Sequence, residues 1–401
     1  GDWSSDVCSS DLVTLFNEYQ YTRKFRKFRD MHLVAGVSNI YAYAFGKVFS
    51  GQLSPDGTPT LGDNGTFHSE NLSVYAQLEK KFFKRLTVLA GARYEYYQLA
   101  DLHESKPVFR AGINFQALTG TFIRLSAGQG YRVPSIGERY ITTTSGNFGF
   151  YPNPGLTSET SISYELGFKQ LYKIGKFAGM LDVAGFYEDY QGYVEFNFGN
   201  WGMNLVNPKK NVGFKFFNTG PARIYGIDIS AAGEGDIFRG VNMGMLLGYT
   251  YAIPQALEPD LIFYDNPYNP ANSLTYNNTS SDPSHQILKY RVQTMFKGDV
   301  QLTWKRFSTG VGGKYYGFMK NIDKFFEEIL DGQMFGVNTG IKKYREEHHA
   351  GTLILDYRLS YMLSHFKFSV IINNLLNTEF SLRPLTIEPT RLTQFQVVYT
   401  I

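Results

Sequence analysis

The segment from Ser158 to Leu171 alternates between apolar and polar residues at almost every position. Its apolar positions are Thr160, Ile162, Tyr164, Leu166 and Phe168. Successive side chains of a strand point to opposite sides of a sheet, so the segment predicts a strand with one apolar and one polar face. The same period recurs along most of the chain, with Tyr and Phe concentrated near segment ends. A barrel that spans an outer membrane has this pattern, because lipid contacts its outer face, water fills its lumen and aromatic girdles mark both interfaces.

Fifteen segments carry the two-residue period. They are 13–25, 31–45, 71–80, 86–97, 107–116, 121–128, 158–171, 177–195, 223–232, 241–251, 296–306, 308–318, 352–362, 366–375 and 391–401. Short connections alternate with long ones, and the long ones are 46–70, 129–157, 196–222, 252–295, 319–351 and 377–390. Outer-membrane barrels alternate short periplasmic turns with longer extracellular loops in this way. The sequence therefore predicts an all-β fold, a transmembrane antiparallel β-barrel, with solvated irregular loops such as 252–295 at one end.

Composition narrows the class of protein further. No apolar run approaches the roughly 18 residues that a transmembrane helix needs, which excludes a helical membrane protein. The formal net charge is only +3 and the basic residues are scattered, so we predict no nucleic-acid partner. The one cysteine is Cys8, which leaves no disulfide within the chain and no thiolate metal site.

The first twelve residues differ in character from the rest of the chain. They read GDWSSDVCSSDL and resemble a translated sequencing-adapter read-through. We therefore expect residues 1–12 to be a non-native artefact and residues 13–401 to form one partial barrel domain.

The chain offers no catalytic constellation. It has neither a Gly-x-Ser-x-Gly elbow nor a His-Glu-x-x-His motif, and its seven histidines suggest no nucleophile–base set. We predict that the protein is not an enzyme, with no catalytic residue and no cofactor. His348 and His349 adjoin Glu346 and Glu347 in a long connection, but an exposed charged loop is the favoured interpretation, and we predict no metal site.

Four blocks spread over some 270 residues, beginning at Arg124, resemble the β-barrel of TonB-dependent outer-membrane receptors. Residues 124–139 are similar to that family's R-x-S-x-G-x-G-[FY]-R-x-P-S block, and residues 153–167 to its NP-x-L-x-x-E … YE-x-G continuation. Residues 218–228 are similar to its N-x-G … GxE hairpin, with Asp228 in place of the usual Glu. Residues 373–377, followed by 383–384 and 389–391, are similar to its NL-[FL]-N … P-R ending. The blocks occur in the family's order.

The resemblance implies a twenty-two-stranded barrel, of which this chain would supply about fifteen C-terminal strands, without the N-terminal plug and TonB box. It implies the outer membrane of a Gram-negative bacterium as the location. The implied partners are the TonB complex through the plug region, outer-membrane lipid, the barrel-assembly machinery through the final strand, and a small or medium solute.

Charged residues on the polar faces of the strands would line the lumen. They are Arg93, Glu95, Arg124, Glu165, Asp182, Glu188, Asp228, Asp356 and Arg358. We expect them to form salt bridges across the lumen and to contact water. The alternative, in which some of them contact a plug or a passing substrate, stays open.

Ligand capture is expected at aromatic residues of the outer loops, because rings beside Gly and Asn give adaptable stacking contacts. The candidates are Phe148, Phe150, Tyr151, Trp201, Tyr264 and Tyr268. A girdle position is the alternative for each of them.

The resemblance implies TonB-coupled import of a scarce, bulky solute, first a ferric siderophore or cobalamin-like chelate, with a glycan or peptide as the alternative substrate. A passive porin or a structural or adhesive barrel is the alternative function.

Overall fold

The computed structural model describes residues 11–25, 30–46, 48–49, 52–53, 59–60, 65–145, 148–201, 212–266, 270, 273–329, 340–382 and 386–400. Within these residues, twenty-one strands form three sheets. The largest sheet contains β1 (Asp11–Phe25), β2 (Met31–Phe45), β5 (Thr66–Phe82), β6 (Leu86–Leu99), β7 (Leu102–Leu118), β8 (Thr121–Arg132), β11 (Glu159–Ile174), β12 (Lys176–Gln191), β15 (Ala222–Phe238), β16 (Val241–Ala256), β17 (Thr294–Trp304), β18 (Phe307–Tyr316), β19 (Thr352–Leu363), β20 (Phe366–Asn373) and β21 (Leu392–Tyr399). The smaller sheets contain β3 (Gln52–Leu53) with β4 (Pro59–Thr60), and β9 (Thr143–Ser145), β10 (Phe148–Tyr151), β13 (Val194–Asn200) and β14 (Val212–Asn218).

The fifteen-stranded sheet is an antiparallel meander in which each strand pairs with its neighbours in chain order. Each of the fifteen predicted segments overlaps one of its strands, and the prediction of an antiparallel barrel wall is confirmed. The edges of the described sheet are β1 and β21, which do not pair with each other. Asp11 and Leu12 already belong to β1, opposite Phe45 and Ala44. The assignment of residues 1–12 as non-native stays a prediction, and residues 1–10 lie outside the described part of the chain.

Several strands extend beyond the predicted segments; β5, for example, begins at Thr66 and β7 at Leu102. Two further differences have local reasons. The segment 177–195 was expected to be one strand, but β12 ends at Gln191 and Val194 begins β13 in another sheet. Gly192 between them has a φ of 64°, in the left-handed region that glycine adopts most easily, and this turns the chain. Residues 233–238 were expected in a turn. They continue β15 to Phe238, with a register shift between Asp236 and Phe238.

The outer face of the sheet is apolar and exposed, as the alternation predicts. On β11, Leu166 is 60% exposed and its neighbours on that face, Ile162, Tyr164 and Phe168, are exposed as well. Such a face is stable only against lipid or another apolar surface, because contiguous exposed apolar area of this size is unfavourable in water.

Aromatic residues and one ion pair mark the boundary of this apolar band. Tyr164, Tyr187 and Tyr225 lie directly opposite one another on β11, β12 and β15, with ring centroids 6.5 and 6.4 Å apart. One step closer to the long connections, Arg223 Nε lies 2.7 Å from an Asp189 carboxylate oxygen. The roughly ten residues from Tyr187 to the short turn of β12 cover about 25 Å at ~3.3 Å rise and ~40° tilt, the height of a membrane band.

The long connections contain most of the remaining structure. They include α1 (Ile136–Tyr140), α2 (Tyr276–Thr279), α3 (Ile341–Glu347) and a π-helical turn at Phe325–Ile329. Among the described residues, no helix has the length and apolar character needed to cross a membrane. The expectation that 252–295 is a solvated irregular loop is wrong, because Tyr276, Leu288 and Lys289 in it are buried.

The apolar cores of the molecule lie where these connections pack on the mouth of the lumen. Helix α1 places Ile136 and Tyr140 against Tyr97, Leu99 and Ala44 of the wall. The 252–295 connection places Tyr276 and Leu288 against Tyr193, Ala222 and Ala256 in the same way. The loop end is therefore a folded unit attached to the wall.

Candidate ligand-binding site

The residues of the first family-like block connect the wall to the loop end. Arg132 donates to Glu159 and to Glu138, each at 2.8 Å. Ser135 caps α1 at its N-terminus, and the Glu138 side chain accepts from the Ser135 backbone to complete a capping box. Glu159 also accepts from the backbone N–H of Val194, at 2.9 Å. The polar groups of these side chains hydrogen-bond mainly to one another and to nearby backbone, so we assign them a scaffolding role.

Two other blocks meet in space and orient the four-stranded sheet. Asn153 Nδ2 donates to the Phe216 carbonyl at 2.7 Å. Asn218 accepts from the Thr157 N–H at 2.9 Å and donates to the Gly192 carbonyl at 2.8 Å. The connections 133–158 and 192–221 are therefore held together by buried or half-buried amide groups close to the wall.

The predicted lumen-facing charges are mostly paired on the inner face. Arg93 lies 2.7 Å from Glu95, and Arg124 lies 3.0 Å from Glu165 and 2.7 Å from Asp182. Arg358 contacts both carboxylate oxygens of Asp299, at 2.6 and 2.7 Å. The sequence interpretation missed Asp299, although its two-residue spacing from Gln301 and Lys297 places all three on one face.

The remaining three predicted charges have other surroundings. Asp356 accepts from the backbone N–H of Asn374 at 2.8 Å, Glu188 is half-buried near Tyr190, and Asp228 is exposed. Contact of any of the nine with a plug or a substrate stays a prediction.

Two arginines reach their partners by lying across a glycine. Gly167 is opposite Arg124, and a Cβ on this glycine would lie 2.7 Å from Arg124 Cζ. Gly310 is opposite Arg358, and a Cβ there would lie 2.6 Å from Arg358 Cζ. Each guanidinium thus crosses one strand to a carboxylate on the next. Arg124 therefore covers position 167 on the inner face.

One face of the four-stranded sheet carries a row of phenylalanines. Phe196 stacks on Phe214 with centroids 4.5 Å apart, and it lies 4.6 Å from Phe216. Phe150 lies 5.7 Å from both Phe196 and Phe214. All four side chains are half-buried. We call Phe150, Phe196, Phe214 and Phe216 the phenylalanine row.

The opposite face of this sheet is covered by the 252–295 connection. Tyr151, Trp201 and Phe217 are only 5–6% exposed there and pack with Tyr264. Lys215 lies among these rings, with Nζ 5.4 Å from the Phe217 centroid, 5.9 Å from Tyr264 and 6.0 Å from Trp201. Burial lowers the pKa of Lys215 to about 8. The rings stabilise the ammonium through cation–π attraction and oppose part of this effect.

A buried ion pair ties three connections together beneath the same face. Lys289 Nζ lies 2.7 Å from an Asp323 carboxylate oxygen, and both side chains are 1% exposed. Lys289 also donates to Asn197, and Tyr290 donates to the other Asp323 oxygen at 2.6 Å. Glu195 lies nearby, and burial raises its pKa. The pair fixes the sheet against the 252–295 and 319–351 connections.

A cavity of about 830 Å³ opens beside the phenylalanine row at the loop end. Its walls come from the ends of β18 and β19, from α3 and from the connection before β21. Met319, Ile322 and Ile341 line the cavity and belong to the same apolar cluster as Phe198 and Phe214 of the sheet. This cluster therefore connects the cavity to Phe214 of the row.

Comparison with known proteins identifies the architecture. The model of the family described as "TonB dependent receptor-like, beta-barrel" matches residues 5–375. The chain belongs to this family. Members are outer-membrane proteins of Gram-negative bacteria, which accounts for the apolar outer face of this receptor barrel.

Solved receptors share the fold at low sequence identity. The hemophore receptor HasR of Serratia marcescens, in complex with its hemophore HasA and heme, is 14% identical with a TM-score of 0.61, over 97% of this chain and 59% of that one. A ferric enterobactin receptor variant from Pseudomonas aeruginosa, in complex with enterobactin, is 12% identical with a TM-score of 0.62, over 96% and 54%. Among curated proteins, "Probable hemoglobin and hemoglobin-haptoglobin-binding protein 3" of Haemophilus influenzae is 24% identical over 192 residues, 47% of this chain and 17% of that protein. The chain thus spans little more than half of these solved receptors.

The aromatic candidates of this receptor barrel separate into different environments. Phe150 lies in the half-exposed row, Tyr264 is half-buried, and Tyr151 and Trp201 are buried in packing positions, which corrects their expected place at loop tips. Phe148 pairs through its backbone with Ser145, and Tyr268 lies outside the described residues. A ligand-binding role for these residues stays a prediction. Sequence reasoning missed Phe196, Phe214 and Phe216, although the spacing in Val212–Asn218 places the latter two on one face of a strand.

Proposed function

We propose that this receptor barrel belongs to an importer that captures a scarce iron chelate at its loop end and moves it inward with TonB-coupled energy. The observation that carries the proposal is the phenylalanine row beside the 830 Å³ cavity. Ligand cavities typically measure about 300–1,000 Å³ and are lined mainly by apolar and aromatic groups. Catalytic chemistry is not part of the proposal, because the family consists of transport receptors.

A ferric siderophore is the first candidate substrate, with a cobalamin-like chelate in the same class. The ferric enterobactin receptor among the structural neighbours supports this class. Aromatic catecholate or macrocyclic groups would stack on the row, and each aromatic contact contributes about 0.5–1.5 kcal/mol beyond its buried area.

Heme is the second candidate, and a separate observation favours it. The curated relatives are described as binding hemoglobin and hemoglobin–haptoglobin, and HasR was solved with heme. A passive porin remains the alternative function, and a glycan or peptide the alternative substrate.

The test compares uptake by the complete receptor in iron-starved cells with and without TonB. Replacement of Phe196 and Phe214 by Ala should lower the uptake rate of a ferric catecholate siderophore at limiting concentration roughly tenfold, as the loss of stacking contacts implies. Phe368→Ala, on the lipid face of β20, is the matched control and should leave uptake unchanged. Uptake that persists without TonB would contradict the proposal and support the porin.

A further inference from the structure

An excess of basic residues lies at one end of the wall. Seven short turns join β1 to β2, β5 to β6, β7 to β8, β11 to β12, β15 to β16, β17 to β18 and β19 to β20. In an antiparallel meander these turns all lie at the same end, opposite the long connections. We call this end the short-turn rim. Lys and Arg residues that are far apart in the sequence are therefore brought together there.

The charge balance of the short-turn rim differs from that of the rest of the chain. Among the described residues within three positions of these turns, eleven exposed side chains are Lys or Arg, whereas Asp30 and Asp236 are the exposed acids. The remaining 28 basic and 34 acidic residues of the chain give a formal net charge of −6. The rim is thus a basic surface on an otherwise acidic chain, which favours an anionic partner.

Large apolar side chains accompany the cations at the turns. Three turns place such a side chain directly beside a basic residue: Phe83 beside Lys84, Phe238 beside Arg239, and Ile174 beside Lys173. The three apolar side chains are 73–91% exposed. Apolar groups with this exposure are unfavourable in water, whereas a membrane interface accommodates an apolar group and a neighbouring charge together. The rim therefore has the chemistry of a membrane interface.

Ring contacts place some of these cations on the side of the wall that faces lipid. Lys80 Nζ lies 4.9 Å from the centroid of Phe82, and Lys305 Nζ lies 5.0 Å from that of Trp304. Trp304 lies on the outer face of β17, because it is three positions after Gln301 of the inner face. A ring at the edge of the apolar band with a cation over it is suited to the boundary between acyl chains and headgroups.

The position of the short-turn rim identifies the layer that it meets. The girdle tyrosines of β11, β12 and β15 mark the other boundary of the apolar band, about 25 Å away, which is the height of such a band in outer-membrane barrels. The short turns of these barrels lie on the periplasmic side. The rim is also continuous with the apolar outer face of the wall. This continuity favours lipid headgroups over a soluble acidic protein.

We propose that the short-turn rim binds the headgroups of anionic phospholipids in the periplasmic leaflet of the outer membrane. The ammonium or guanidinium group at a turn contacts the phosphate, and the adjacent apolar side chain contacts the upper part of the acyl chains. Binding is the exchange of one lipid for another, and no covalent bond changes. The inference goes beyond the proposed import function and is independent of it.

The experiment measures which lipid contacts Trp304 in the complete receptor reconstituted in bilayers. A lipid with brominated acyl chains quenches a tryptophan that it touches. Titration of brominated phosphatidylglycerol against phosphatidylcholine therefore gives the relative binding constant of the two lipids. The quenching that Trp304→Phe removes belongs to this site.

Phosphatidylglycerol should be preferred at Trp304 roughly five- to thirtyfold at low ionic strength, because each basic residue at a charged lipid surface contributes about a factor of five. At about 1 M NaCl the preference should fall below roughly twofold, since the Debye length is then only about 3 Å.

The β17–β18 hairpin supplies a matched pair of variants. Lys305→Gln/Arg306→Gln removes two charges from the rim and should reduce the preference to roughly twofold or less. Lys297→Gln/Lys314→Gln removes two charges from the same hairpin. Lys297 and Lys314 are exposed and lie opposite each other on the inner face, so this variant should keep the preference of the unaltered receptor. Heat-modifiable migration checks that both variants are folded.

Three results would overturn the proposal. The first is equal quenching of Trp304 by the two lipids at low ionic strength. The second is a preference that survives unchanged in Lys305→Gln/Arg306→Gln, and the third is an equal loss in both double variants. Equal quenching by the lipids, together with a change in Trp304 emission on adding soluble polyglutamate, would reject the lipid in favour of an acidic protein partner.

Discussion

The wall and the loop end of this receptor barrel are specified by different kinds of information. In the wall, each residue's direction follows from its position in a two-residue period, and lipid or water decides which side chain is stable there. At the loop end, β10 pairs in parallel with β14 from a different connection, and Lys289 of a third connection pairs with Asp323 of a fourth. Local pattern specifies the wall, whereas long-range contacts specify the loop end.

This difference has an energetic side. Outward wall positions tolerate any apolar residue, because lipid has no shape to match. The loop end instead depends on particular partners, such as the carboxylate and ammonium of the buried pair, whose single removal leaves the other charge without compensation. A substitution should therefore cost most where partners are specific, and four comparisons test this ordering.

The largest effect is expected at Lys289. Lys289→Met leaves Asp323 buried and unpaired, which should destabilise the loop end by about 3–5 kcal/mol. Hydrogen exchange of residues 273–290 measures the local loss, and heat-modifiable migration should show an intact wall. The double variant Lys289→Met/Asp323→Leu should recover most of the protection, since apolar replacement of a buried pair is often neutral. Unchanged exchange in the single variant would show that the pair does not hold the loop end.

The next effect compares two leucines on opposite faces of the wall. Leu166 on β11 faces outward and Leu246 on β16 faces the lumen opposite Asp299, and each is 60% exposed. Leu166→Arg should cost about 2–4 kcal/mol at mid-bilayer, whereas Leu246→Arg enters a wet lumen and should cost less than about 1 kcal/mol. Urea titration of the receptor folded in lipid vesicles compares them. Equal destabilisation would show that the face assignment is wrong.

A smaller effect tests the arginine that lies across a glycine. Gly167→Ala places a methyl group 2.7 Å from Arg124 Cζ and should cost roughly 1–3 kcal/mol by displacing the guanidinium from Asp182. Gly244→Ala on β16 meets no atom within 4 Å and should be neutral or stabilising by about 0.5 kcal/mol. The same urea titration compares the variants. Identical stability of the two would mean that Arg124 moves aside without loss.

These residues also show how much the sequence could predict. The alternation gave all fifteen wall strands and the inner position of Arg124 and Arg358, because facing is a local property. It did not identify Asp299 as the partner of Arg358, because the register between two strands cannot be read from the sequence of either strand alone. It also placed 194–195 in a wall strand, since the turn at Gly192 interrupts a segment whose period continues on both sides.

The candidate site was less predictable than the wall for the same reason. Aromatic content drew attention to connections that contain the four-stranded sheet. The division between the half-buried phenylalanine row and the buried face follows from the pairing of β13, β14 and β10. Tyr151 and Phe150 are adjacent in sequence and lie on opposite faces of one short strand. Which of these two faces is buried depends on the 252–295 connection, which packs against one of them.

The smallest expected effect concerns Lys215 on the covered face. Its folded pKa of about 8 lies below the roughly 10.4 of an unfolded lysine, so the unfolded chain binds more protons between these values. The contribution of Lys215 to stability should therefore rise with pH from about 8 to about 10.4 and stay flat below 8.

Lys215→Met removes this rise and should stabilise the sheet at pH 7 by roughly 1 kcal/mol, because the three rings already offset part of the burial cost. Hydrogen exchange of residues 212–218, corrected for its intrinsic pH dependence, measures the stability of the four-stranded sheet in this variant. Lys367→Met is the control, because Lys367 is exposed and lies in β20, outside the four-stranded sheet. If the stability of the unaltered receptor and of Lys215→Met changes with pH in the same way across this window, the cation–π attraction of the rings fully offsets the cost of burying the ammonium. The covered face would then tolerate a charge as well as the lumen does.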